Sequence, residues 1–126
     1  EVVQLCAGYA DPVVGAGDLG GALRVRLGNE ALLAGNVGRG AGAMRAVDGL
    51  GGDGSMRLEV LQYCSGGGRA STSVAAVGDV VAFAAAAGPF LRKDVAAYVE
   101  AAEQAGLGPG LLDTVIGAGH MRLAPK

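Results

Sequence analysis

The sequence is short of the side chains from which most active sites are built. It has no tryptophan, one histidine and two cysteines in 126 residues. His120 stands without a second histidine or a cysteine cluster, so a tetrahedral zinc site has no ligand set. No G-x-S-x-G nucleophile elbow is present. Aromatic residues are scarce, with two Phe and three Tyr, which leaves few large anchors for a core or an interface. Charge is thin and balanced, 10 basic against 12 acidic residues for a net charge of −2. There is no basic stripe for nucleic acid and no polybasic run for anionic lipid. Val74–Ala87, the longest apolar run, falls short of the roughly 20 residues a membrane span needs, which argues against a membrane role.

What is plentiful is small. There are 24 glycines, and 51% of the chain is hydrophobic, much of it alanine. The length fits a single domain over residues 1–126, with a usable but not generous core. Gly-rich stretches at 35–54 and 65–70 read as loops, because glycine costs roughly 1 kcal/mol per interior helical position. No internal repeat is evident.

Met56–Cys64 is the stretch around which the rest is organised. Met56, Leu58 and Val60 alternate with Arg57 and Glu59, the period of a strand with one buried face. Val2–Ala7 also reads as a strand. Leu23–Leu27 alternates apolar and basic residues and fits a strand before a Gly28-Asn29 turn, or a helix over Leu19–Leu27. Ser71-Thr72-Ser73 offers N-cap residues before either a buried helix over Val74–Ala87 or a short helix followed by a strand at Val80–Ala84. Gly88-Pro89 ends that run. Asp79 reads as a cap or turn residue beside Gly78, or as a buried carboxylate. The clearest helix is Phe90–Ala105, stopped by Gly106. Its charges oppose the helix dipole, with Arg92 and Lys93 early and Glu100 and Glu103 late. Leu111–Ile116 is a last strand candidate, and the tail from His120 can add an edge strand.

Cys6 and Cys64 are a candidate disulfide. Pairing would close a loop of ~58 residues, worth about 4 kcal/mol in the chain-entropy model. A chain that starts at Glu1 rather than Met suits a processed product, which points to a secreted or organellar location after processing.

Gly15-Ala16-Gly17-Asp18-Leu19-Gly20 is a literal G-x-G-x-x-G preceded by Val13-Val14. The segment VVGAGDLGGALRVRL resembles the opening of Rossmann-type NAD(P) oxidoreductases. Gly78-Asp79-Val80-Val81 resembles the fourth strand of such domains, and Leu111-Leu112-Asp113 the fifth. The resemblance implies a pyrophosphate at Gly15, Gly17 and Gly20, with Asn36 and Arg39 near the ribose. With no acidic residue there, it implies NADP rather than NAD. Asp11-Pro12 departs from the pattern, because it leaves about four residues for a central strand that tolerates no proline.

Two main readings therefore stand, beside a third, a membrane-active protein using Val74–Ala87. The first is an α+β fold, a small two-layer sandwich of a mixed or antiparallel sheet with two helices. It would serve as a non-catalytic binding or structural module, secreted or processed, acting through a protein partner or as a homo-oligomer (subunit, effector- or toxin-like), with no cofactor and no nucleic acid. The alternative is an α/β Rossmann-like domain that binds NADP.

Overall fold

The computed structural model describes residues 2–8, 10–52, 59–108 and 110–118. Among these, every regular element is a helix. We number them α1 (Val2–Cys6), α2 (Gly21–Gly49), α3 (Arg69–Val77), α4 (Val80–Gln104) and α5 (Leu111–Ala118). The α+β sandwich and the Rossmann-like alternative are both overturned, because no sheet exists among the described residues for helices to cover. Val2–Ala7, Leu23–Leu27, Val80–Ala84 and Leu111–Ile116 were each expected to be extended or could have been. Each lies wholly or mostly in a helix instead. Runs of five or six residues carry no decisive period. Of Met56–Cys64, residues 56–58 lie outside the described residues, and Glu59–Leu61 is helical. The tail from His120 also lies outside them.

α2 is the element on which α3, α4 and α5 pack. It runs through Gly28-Asn29 and through most of the 35–54 stretch that reads as loop. Five of its seven glycines hold a period that the sequence reading missed. Gly21, Gly28, Gly35, Gly42 and Gly49 are spaced by seven, so they form a stripe that drifts slowly round the helix. One of them explains why a residue so costly in a helix is kept. A Cβ on Gly35 would lie 2.8 Å from Leu112 Cδ1, so α5 seats against bare backbone there.

The core lies on the middle of α2. Ala31, Ala34 and Val37 are buried with Ala70 and Val74 of α3, Leu91 and Val95 of α4, and Ile116 of α5. Three of these eight are alanines, so the helices must approach closely to exclude water. Phe83, Tyr98, Leu33 and Leu112 close the margins. α1 lies outside the packed helices.

The α3–α4 corner is built locally. Gly78 ends α3 in the left-handed region at φ 86°, where a side chain is disfavoured. Asp79 then caps α4. Its Oδ1 accepts from Val81 N and its Oδ2 from Ala82 N, both at 3.1 Å, which satisfies two of the four orphan amides. Asp79 is exposed, so it is a cap and not a buried carboxylate. α3 starts at Arg69 with Gly68 before it, ahead of the Ser71–Ser73 start expected. α4 does not end at Gly88-Pro89 but passes through it. Pro89 faces outward and Gly88 inward, and Leu91 and Val95 hold the following turns in the core. At its far end, Leu107 N donates to Ala102 O at 2.9 Å and Gly106 N to Glu103 O at 3.0 Å, a Schellman stop.

No single helix among the described residues is long and apolar enough to cross a membrane. α3 and α4 together reach that length, but they are bent by 113°.

Candidate functional site

A groove of about 780 Å³ opens along the outer side of α2. One wall is α2 itself, with Leu32, Asn36, Arg39, Gly40 and Ala43. The other is the connection into α3, with Leu61, Ser65 and Gly66–Gly68, and then Ala70 and Ser71. A narrow apolar crevice of about 20 Å³ lies against the same wall, between Val37, Met44, Leu61, Val74 and Val80. That space suits one water-sized group.

Local sequence accounts for the shape. Gly66, Gly67 and Gly68 bring no side chains to their part of the wall, which leaves the groove wide there. Gly67 is held in place, since its N donates to Cys64 O at 2.8 Å. Arg39 leans back along its helix, and Nη1 donates to Asn36 Oδ1 at 3.2 Å. Among the described residues, the lining thus offers one guanidinium, one amide, two hydroxyls and the apolar ends of Leu32 and Leu61. No carboxylate, imidazole or thiol lines the groove among the described residues. That set can hold a partner by hydrogen bonds and apolar contact, and Arg39 favours a negative group.

The structure divides the residues that the dinucleotide resemblance grouped. Asn36 and Arg39 line the groove. Gly15, Gly17 and Gly20 lie in the exposed segment before α2. From Gly20 to Asn36 is about 24 Å at the helical rise of 1.5 Å per residue. Gly15 and Gly17 approach nothing, since a Cβ on either would find no atom within 4 Å. The fingerprint needs its glycines for a strand-to-helix turn and for close packing of helix on strand. Here no strand precedes the glycines among the described residues. The sterically constrained glycine is Gly21, outside the motif, where a Cβ would lie 1.9 Å from Ala16 O. Asp18 instead pairs with Arg24 of the first turn of α2.

The candidate disulfide is not formed. Cys6 belongs to α1, which stands apart from the other helices. Cys64 is exposed, and its Sγ lies 3.4 Å from Val60 O as a donor. The bridge that favoured a secretory route therefore gives no support to one.

Sequence reasoning missed Leu32, Leu61, Ser65 and Ser71 as groove residues, because it assigned the two walls to a strand, to loops and to a helix N-cap. The seven-residue glycine period was the available signal. It marks residues 21–49 as one helix and puts Leu32, Asn36 and Arg39 on one side of it.

No family model matches the chain, and neither a curated protein nor a solved structure shows significant similarity to it.

Proposed function

We propose that this chain is a non-catalytic interaction module, a subunit or effector-like protein that acts through protein–protein contact. Its groove receives an amphipathic segment of a partner chain. One observation carries the reading. Val25, Asn29, Leu32, Asn36, Arg39 and Ala43 recur along α2 at alternating steps of four and three, which places them on one outward face. All are exposed except the half-buried Asn36. Val25 and Leu32 are 64% and 54% exposed. A helix laid along that face would set its apolar anchors against Val25, Leu32 and Leu61, in the helix-in-groove manner. A carboxylate on it would meet Arg39.

The test compares the wild type with a Leu32→Glu/Arg39→Glu variant as baits in extracts of the producing cells. Both positions are exposed, so the variant should keep its helical circular dichroism and its stability to within about 0.5 kcal/mol. A discrete partner held by the wild type should bind the variant at least about tenfold more weakly, as expected for loss of an anchor and a charge contact. A partner spectrum that the two substitutions leave unchanged overturns the reading.

A further inference from the structure

The geometry points to a second copy of this chain as the occupant of the outer face of α4, in an antiparallel helix pair. Ala86, Phe90, Lys93, Ala97, Glu100 and Gln104 recur at alternating steps of four and three and are all exposed. They form the seam of α4 that faces away from Leu91 and Val95. Phe90, 74% exposed, is the one aromatic anchor on it. Small residues sit at its middle, where a partner helix can come closest.

Charge decides the occupant and its direction. Lys93 and Glu100 lie on the same face one heptad apart, with Ala96 and Ala97 between them. Neither is in a salt bridge among the described residues, and Glu100 only accepts from Gln104 Nε2 at 3.3 Å. Rotation by half a turn about an axis near Ala96–Ala97 sets Lys93 of each copy against Glu100 of the other. A two-fold interface repeats each contact, so both pairs form at once. A parallel pairing would set lysine on lysine and glutamate on glutamate. The same antiparallel register lays Phe90 against the end of the partner helix near Gln104. The reversed order of charges, basic early and acidic late, costs α4 a little against its own dipole. In the pair it becomes self-complementary. This face is not the groove on α2, so the dimer and the proposed partner stand or fall separately.

Sedimentation equilibrium of the full chain at low salt is the test. The wild type should be a dimer with micromolar dissociation, so that dimer dominates at about 100 µM. Salt should weaken it, since exposed pairs are screened. Lys93→Glu and Glu100→Lys should each weaken the dimer at least about tenfold, because each sets like charges together on both sides of the axis. The double swap, Lys93→Glu with Glu100→Lys, should restore it. Circular dichroism should show the same helicity for all four proteins. A wild type that stays monomeric at about 100 µM overturns the inference. So does a dimer that ignores both single changes, or a double swap that fails to recover it. None of these results touches binding at Leu32 and Arg39.

Discussion

Gly28 and Gly35 stand one heptad apart on the same stripe of α2, yet they do opposite things. Gly35 is buried, and the space where its Cβ would sit is taken by Leu112 of α5. Gly28 is exposed, and a Cβ there would meet nothing within 4 Å. Both carry the entropic cost of glycine in a helix. Only Gly35 repays it, by letting a neighbouring helix touch backbone. The contrast extends to the regions around them. From Ala31 to Ala41 the inward side of α2 is closed by α3, α4 and α5. Nearer its start, Leu23 and Val25 are 60% and 64% exposed. The helix is therefore held by its middle, and its first turns extend past the core. They are tied back by Arg26 Nη2, which lies 3.6 Å from Asp94 Oδ2 of α4.

The comparison breaks most severely if the clamp on the middle of α2 is emptied. Ile116 is fully buried, on the α5 face that covers Gly35. Ile116→Ala should destabilise the fold by about 2–5 kcal/mol, the usual cost of such a cavity. A fold this poor in large core residues has little to refill it. Urea denaturation measures the loss, and a change below about 1 kcal/mol would mean that α5 does not close the core. A smaller effect is expected at Gly35 itself. Gly35→Val adds a branched side chain where Leu112 already sits, and it should cost about 1–3 kcal/mol by overpacking. Pairing it with Leu112→Ala should recover part of that loss, because the two changes share one contact.

Legibility followed the range of the physics. The caps could be read from neighbouring residues alone. Gly106 ends α4 and Asp79 opens it, and both depend on hydrogen bonds spanning a few residues. The inward face of Leu91 and Val95 was equally open to reading, since a four-residue step is a helical signature. The strands were not so. In Leu23–Leu27, Leu, Val and Arg suit either period, and α2 is apolar on more than one side, so its amphipathic signal is nearly absent. Residues 35–49 were misread for a different reason. Glycine is counted against a helix by local propensity, whereas Gly35 is retained for a contact with Leu112, some 77 positions along the chain. A local reading cannot price a distant contact. For the groove, Asn36 and Arg39 were picked out through a resemblance to a fold the chain does not have. They nonetheless line it together with Leu32 and the Gly66–Gly68 connection.

The comparison sharpens at the open glycine. Gly28→Ala removes the entropic cost and meets no neighbour, so it should raise stability by about 0.5–1 kcal/mol. Gly35→Ala lacks that clear gain, because its Cβ must displace the end of Leu112. Equal gains at both positions in parallel thermal melts would show that the two glycines do not differ. The smallest expected effect belongs to the loop before α2. Gly15 and Gly17 have no neighbour at their Cβ positions, no strand precedes them among the described residues, and Asn36 and Arg39 lie several turns away. NADP at millimolar concentration should therefore leave the melting temperature unchanged. A ligand that bound the native state at 100 times its Kd would add about 2.7 kcal/mol, a rise of several degrees in a chain of this size. A shift of that kind would require the loop and the groove, held apart by four turns of α2, to be brought together by the nucleotide itself.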